Sequence, residues 1–416
     1  MNYEYDVAIV GGGAAGLAAA LAAADQGAKT LILEKNASLG GVLNQCIHNG
    51  FGLRYFKEDL TGPEYAARFI EQIEKKSVDI ITQATVSNVS KDKILTVINP
   101  VKGEFQVKAK AVVLCAGCKE KLDDLEKSLG QSSLPQGIYT LMQAQRLINA
   151  EYKKLGQKAV IFGSDNLALI LARQMTYEGA LVQCVCEKEP CAKGLKSNIA
   201  RCLDDYGIPL YVNTAITKLR GKDKLEGVYI APLDGKKRPV AAQEKFVECD
   251  TLLFSSQFVP DSDLAVKLKL KMDRITLGPV VDETKQTSVE GIFATGSFLH
   301  IHDLADDVSF EAQTAGKYAA LYAQGQYRAD DKKIRVIAGG GIIYAVPQII
   351  NGGDKKAVVC FRTEQRHRNK RFNVFCGEDI IFAKRYPVLL PCRLEQAEIN
   401  LKGIEGDLVL SLEESE

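Results

Sequence analysis

Gly11, Gly13 and Gly16 lie between an apolar run, Tyr5–Val10, and an Ala/Leu-rich run, Leu17–Gln26. A second apolar run, Thr30–Glu34, ends on an acid eighteen residues after the last of these glycines. That order is a strand, a glycine turn, a helix and a strand ending in a carboxylate, which suits a dinucleotide. Gly11 permits the tight turn into the helix, and Gly13 lets backbone amides approach a pyrophosphate. Gly16 lets the helix lie close to the sheet, so that its N-terminus, with Ala14 and Ala15, faces the anion. Glu34 is placed to accept hydrogen bonds from ribose hydroxyls, with Lys35 beside it.

Nearly the same pattern returns about 150 residues later, as Lys158–Phe162, Gly163–Ala168, Leu169–Glu178 and Leu181–Glu187. Here Asp165 stands where the second glycine belongs. A carboxylate there opposes a diphosphate and is also a good helix N-cap, so Asp165 is expected to occupy the anion site from inside. Glu187 keeps the position of the ribose acid. The segment 119–131 adds Asp123, Asp124 and Glu126. NAD(P)H binding at this second copy is therefore disfavoured, with a retained scaffold as the preferred reading.

Other residues are candidates for chemistry of a different kind. Cys46 and His48 follow Gly40 and Gly41, and His300, His302 and Asp303 follow a short apolar strand that ends at Thr295 and Gly296. Cys46 is the only cysteine in its stretch, so no dithiol relay is available there. Cys115 and Cys118 have redox-motif spacing but span a strand end. Cys184 and Cys186 alternate along a strand and should share one apolar face, so no metal site is assigned to them, to Cys191 or to Cys202. The eleven cysteines read as reduced, packed thiols rather than a disulfide framework.

These residues need elements to position them. Strand–helix alternation predicts an α/β protein with parallel sheets covered by helices. Two Rossmann-like dinucleotide-binding domains are expected, the second inserted in the first: 1–125 with 280–325 for the first, and 126–279 for the second. The stretch Gly291–Gly296 and a helix from about Phe310 to Gln324 close the first domain. From 326 to 416, short alternating runs separated by Gly, Asn and Pro predict a small C-terminal β-rich module. The basic run Arg362, Arg366, Arg368, Lys370 and Arg371 is expected to bracket a hairpin tip, read as a solvated turn with docking of an acidic partner as the alternative.

The chain of 416 residues carries 53 Lys+Arg against 52 Asp+Glu, a net charge of +1 that favours neither nucleic acid nor an acidic membrane. Val7–Ala24 is eighteen uncharged residues long, but Glu4 and Asp6 precede it and three glycines interrupt it. Membrane insertion and export are not expected, which leaves a cytoplasmic protein.

Gly40–Gly41, the strand ending at Val113–Gly117 and the stretch Ile292–Gly296 resemble successive landmarks of the pyridine nucleotide–disulfide oxidoreductase superfamily of two-domain flavoproteins. Within it, Gly41–Gly52, Leu299–Leu304 and Tyr344–Pro347 resemble a particular branch. That branch holds the flavoprotein linked to anaerobic glycerol-3-phosphate dehydrogenase and the FAD subunits of opine oxidase and hydrogen cyanide synthase. The resemblance implies FAD in the first site. It places Gly40, Gly41, Val42 and Asn44 along the pyrophosphate and ribityl chain, Val86 at the adenine, and Ala116 and Gly117 over the adenosine. Gly296 would admit the ribityl group, and the helix start near Val308 would face the pyrimidine edge, where a reduced flavin carries negative charge. Many members carry Asp where this chain has Ser297, whose hydroxyl retains a hydrogen bond to the ribityl chain.

The resulting expectation is an FAD-dependent oxidoreductase passing electrons between a small metabolite, or a partner dehydrogenase subunit, and an acceptor. Cys46, His48, His300 and His302 are its candidate catalytic residues. Two rivals remain: a stand-alone NAD(P)H-dependent flavin reductase or oxidase, and a non-catalytic, FAD-stabilised assembly subunit.

Overall fold

A computed structural model describes residues 3–121, 134–327, 333–351 and 356–414. The acidic positions Asp123, Asp124 and Glu126 lie outside these residues. The chain divides into two compact units, 1–119 with 259–416, and 120–258.

In the first unit a seven-stranded sheet runs Val78–Ile81, Thr30–Leu33, Tyr3–Val10, Gly103–Leu114, Ile94–Asn99, Thr85–Val89, with Ile292–Ala294 also paired to Gly103–Leu114. The pairs at Tyr3–Val10, Thr30–Leu33, Val78–Ile81 and Ile292–Ala294 are parallel, as strand–helix alternation requires. Register aligns their carboxyl ends: Val10 lies opposite both Leu33 and Leu114, and Leu114 opposite Ala294. Gly11, Glu34, Cys115 and Thr295 therefore emerge at one sheet edge, where open α/β sheets bind ligands.

The helix Ala14–Asp25 is alanine-rich because it is covered on nearly every side. Its neighbour Ala305–Ala323 approaches so closely that a Cβ on Gly316 would sit 2.0 Å from the Ala19 carbonyl oxygen. Gly62–Ile73 is the third cover; Thr61 and Glu64 form a capping box at its start, and Tyr65 and Phe69 are its buried face. On the opposite face of the sheet, Leu95, Val97, Val107, Leu264, Leu268 and Val281 form a second core. Residues 263–299 thus pack into the first unit, which is why the second unit ends at Phe258 rather than near the 279 read from sequence.

The C-terminal strands belong to the same compact unit and form two sheets. One has five strands, ordered Ile349–Asn351, Lys333–Ala338, Leu408–Glu414, His367–Cys376, Asp379–Leu389; the other pairs Ile342–Val346, Lys356–Thr363 and Glu395–Asn400. Phe361 and Phe372 stack at 4.3 Å in the core. Lys356–Thr363 and His367–Cys376 lie in different sheets, so the basic run does not bracket a hairpin tip. The hairpin turn comes later, between Cys376 and Asp379.

The second unit has a five-stranded sheet in the order Ile138–Thr140, Thr251–Phe254, Lys158–Phe162, Leu181–Cys186, Leu210–Tyr211, with every pair parallel. A three-stranded antiparallel sheet, Thr214–Arg220, Gly227–Pro232 and Lys245–Glu248, accompanies it. Among the described residues no helix is long and apolar enough to cross a membrane.

Candidate functional site

The glycine turn at Gly11 requires its glycines for distinct reasons. Gly11 has φ +104°, and a Cβ there would meet the Cys115 carbonyl oxygen at 2.5 Å. A Cβ on Gly16 would lie 1.8 Å from the Gly11 carbonyl oxygen. Gly13 differs: among the described residues a Cβ there would have no atom closer than 4.0 Å, the nearest belonging to Gly40 and Gly41. Gly13 is the N-cap of Ala14–Asp25 and offers that helix no side-chain bond. The first amides, including those of Ala14 and Ala15, thus receive no side-chain cap from this residue, at the positive end of the helix dipole.

The Gly40 amide donates to the Gly12 carbonyl oxygen at 2.8 Å, which lays the second glycine pair against the first. Asn44 donates to the Leu39 carbonyl oxygen and fixes this loop, while Val42 is exposed beside it. On the other side, a Cβ on Gly296 (φ +69°) would collide with the Ala15 side chain at 2.7 Å and meet Val308 at 3.4 Å. Gly11, Gly13, Ala15, Gly40, Gly41, Gly296 and Val308 therefore converge on one cradle. Its walls are backbone, and its charge is that of an uncapped helix start, which fits a diphosphate. Val308 lies in the first turn of Ala305–Ala323, earlier than the helix start read from sequence.

Glu34 is almost fully buried and accepts from the Gly12 and Asn36 amides, both at 2.7 Å. Each oxygen retains a further lone pair for a ribose hydroxyl. Lys35 is exposed. Ala84 donates to the Glu34 carbonyl oxygen, bringing the strand that carries Val86 alongside. The Cys115 amide donates to the Val10 carbonyl oxygen, so Ala116 and Gly117 (φ +78°) follow directly from the strand edge. Ser297 lies in the short turn Gly296–Phe298.

Cys46 ends the turn Gly41–Gln45, with its Sγ 3.4 Å from the Val42 carbonyl oxygen. His48 is half-buried, packs on Phe51 and has Nδ1 2.9 Å from the Asn49 carbonyl oxygen. All eleven cysteines are free thiols; burial pushes that of Cys115 up. Cys184 and Cys186 do share a buried face, with sulfurs 3.8 Å apart, whereas Cys191 is exposed.

His300 and His302 come together, with ring centroids 4.1 Å apart, around a residue that carries no motif. Glu311 accepts from the Gly296 amide at 2.9 Å and the Thr295 hydroxyl at 3.1 Å on one oxygen. Its other oxygen meets His300 Nε2 at 3.0 Å and Lys285 Nζ at 3.4 Å. Burial alone would raise the Glu311 carboxyl, but Lys285 and the two histidines outweigh it and hold the group well below its ordinary range. Burial, with His302 beside it, lowers His300 to about 4, so His300 is neutral at pH 7. Ligand atoms of His300, His302 and Glu311 lie within 4.8 Å of one another. The Lys285 ammonium nevertheless occupies the carboxylate that a divalent cation would need.

Asp303 is tied elsewhere, to Arg362 at 2.7 Å and to the Leu394 amide at 2.6 Å. Arg362 is largely buried and also donates to Tyr344 and the Ile301 carbonyl oxygen, so it is no solvated turn residue. It locks the loop after Gly296 to the C-terminal sheets. Asp306 accepts from the Gly52 and Arg54 amides, and Asp307 pairs with Arg54, which fixes the stretch after His48 to the helix start.

The corresponding site of the second unit is closed by its own chain. Asp165 is the N-cap of Asn166–Tyr177, accepting from the Ala168 amide at 3.1 Å, and the Ser255 hydroxyl donates to its second oxygen. Glu187 accepts from the Ser164 amide and hydroxyl at 3.1 and 2.6 Å. The segment 193–195 then lies over the turn: Lys193 donates to Ser164 Oγ, Gly194 to the Ser164 carbonyl oxygen and Leu195 to Asn166 Oδ1. Sequence reading found Asp165 but not this strap.

Residues 5–343 match the family model described as pyridine nucleotide-disulphide oxidoreductase. The chain is 29% identical over 328 residues to a thioredoxin reductase of Peptoclostridium litorale, covering 78% of this chain and 97% of that one. It is 25% identical over 284 residues to hydrogen cyanide synthase subunit HcnB of Pseudomonas protegens, covering 63% of this chain but only 58% of that protein's length. One of the opine oxidase subunits of Rhizobium meliloti is 24% identical over 347 residues, covering 77% of this chain and 62% of that one. Among solved structures, thioredoxin reductase of T. acidophilum shares the fold with a TM-score of 0.61 at 22% identity, covering 78% of this chain and all of that one. With the backbone cradle at the sheet edge, these matches show that the chain belongs to the pyridine nucleotide-disulphide oxidoreductase family and is an FAD-dependent oxidoreductase.

Proposed function

We propose that this chain is the FAD-bearing subunit of a multisubunit dehydrogenase, passing electrons between a partner that oxidises a small metabolite and a separate acceptor. The observation that carries this reading is the closed turn of the second unit. Asp165 caps the helix that a diphosphate would need, and 193–195 covers it. A reductant other than NAD(P)H is then required. Cys46 is the only cysteine in Gly41–Gly52, so a dithiol does not carry the electrons onward. Two of the relatives are themselves named as subunits, of hydrogen cyanide synthase and of opine oxidase.

FAD, when bound, supplies the two-electron chemistry. The protein's part is to hold it. The amides of Ala14 and Ala15 would meet the pyrophosphate, Gly40, Gly41, Val42 and Asn44 would flank the chain that follows, and Ser297 would meet the ribityl group. Glu34, Lys35, Val86, Ala116 and Gly117 would bind the adenosine end. The first turn of Ala305–Ala323, at Val308, would set a positive dipole end toward the pyrimidine edge.

Co-expression with the products of neighbouring reading frames tests the proposal. A complex should form, and metabolite-linked dye reduction should rise well above that of the isolated chain. Full turnover of a metabolite by the isolated chain with dye alone would exclude the subunit role.

A further inference from the structure

The hydrogen-bond geometry around Glu311 calls for a proton at a particular atom. His302 Nδ1 lies 2.9 Å from the His300 carbonyl oxygen, which only accepts, so Nδ1 carries a hydrogen. His302 Nε2 is 3.6 Å from Glu311 Oε1, is shielded from solvent and has no hydrogen-bond partner among the described residues. A neutral ring with its hydrogen on Nδ1 would point a bare lone pair at a carboxylate oxygen in a dry site. That arrangement is repulsive and leaves a buried polar atom unsatisfied. A hydrogen on Nε2 as well turns the same geometry into an ion pair.

We propose that His302 is held as a buried imidazolium behind the Thr295–Gly296 turn, and that its charge favours the electron-rich form of the bound FAD. The charged groups facing it are Glu311 from the helix and Lys285 from the turn before Ile292–Ala294, with neutral His300 tilted against its ring. From the C-terminal sheets, Tyr344 approaches His300, and Arg362 is neutralised by Asp303. Lys285 and His302 against one carboxylate leave the cluster with a single net positive charge. Glu311 bonds directly to the Thr295 hydroxyl and Gly296 amide, so that charge sits one residue layer behind the backbone of the cradle. In a buried site such a charge is weakly screened. His302 is thereby a positioning and electrostatic residue rather than a catalytic one, and its role is the same whichever donor reduces the cofactor.

The chain has only four histidines, so ring ¹⁵N resonances of the FAD-loaded protein are few enough to assign by single substitutions. At neutral pH, His302 should show hydrogens on both ring nitrogens while His300 shows one. Potentiometry supplies a second, independent readout. In His302→Gln, which keeps a neutral donor of similar size, the preference for reduced over oxidised FAD should fall by roughly tenfold, ~30 mV for a two-electron couple. A neutral His302 in the wild-type spectrum would overturn the proposal, as would an unchanged potential in a fully FAD-loaded His302→Gln protein. Stoichiometric zinc that is lost in that variant would overturn it in favour of a metal site.

Discussion

The two strand–turn–helix copies share a backbone plan and treat it in opposite ways. In each, a buried acid after the second strand accepts from the second amide of the turn: Glu34 from Gly12, Glu187 from Ser164. In each, a helix starts on an extended N-cap residue, Gly13 or Asp165. In the first copy that residue has no side chain and the helix amides stay open. In the second, the carboxylate satisfies one amide itself, Ser255 holds the carboxylate, and 193–195 seals the turn. An anion site at a helix start is thus defined less by glycine count than by whether the protein has already met its own amides.

The strongest way to break the contrast is to convert the first copy into the second. At Gly13 there is room for a Cβ, so Gly13→Asp should fold, cap its own helix and exclude the cofactor. Opposed charges of like sign at ~5 Å and an effective dielectric of ~20 cost about 3 kcal/mol, roughly a hundredfold in affinity. The purified variant should be colourless and melt lower, because bound FAD contributes stability by mass action. Full FAD content measured by absorbance would remove Gly13 from the site.

Acidification tests the buried cluster behind the first copy. His300 is lowered to about 4 in the folded protein, against about 6.5 when unfolded. The stability this contributes is fully present above pH 6.5 and is lost as pH falls toward 4, since the unfolded chain binds the proton first. Between pH 7 and pH 5 the loss from this residue is about 2 kcal/mol. Denaturant titrations of wild type and His300→Gln should show a steeper acid loss in the wild type. Parallel pH profiles would mean His300 does not titrate as a buried neutral ring.

The smallest effect is expected from opening the second copy. Asp165→Gly should cost about 0.3 kcal/mol as a lost N-cap, since glycine is itself a tolerated cap, leave FAD untouched, and still bind NADH and NADPH weakly. The strap over Ser164 and Asn166 remains in that variant, so removing the charge alone does not clear the site. Micromolar nucleotide affinity in Asp165→Gly would make Asp165 the sole block.

The sequence carried the parts of this site that depend on local steric rules. A glycine that no other residue can replace, as at Gly11 and Gly16, leaves a spaced signature, and so does a strand ending in an acid. The N-cap role of Asp165 followed from residue type and position. Glu311 and Lys285 carried no such signal, because they meet Thr295, Gly296 and His300 only through the close packing of a helix and a turn on one strand end. Arg362 looked like part of a solvated basic run because charge patterning does not reveal that adjacent strands enter different sheets. The boundary near 258 was hidden for a similar reason: the segment 263–299 has little regular structure of its own and is fixed by burial of Leu264, Leu268 and Val281.

Titration of the FAD-loaded wild-type protein with NADH and NADPH under anaerobic conditions tests the open first turn and the closed second one at once. Calorimetric binding should be millimolar or undetectable, and the flavin absorbance should not bleach on the timescale of turnover. Saturable, micromolar binding with rapid bleaching would contradict the account and make the chain a stand-alone NAD(P)H-dependent flavin reductase.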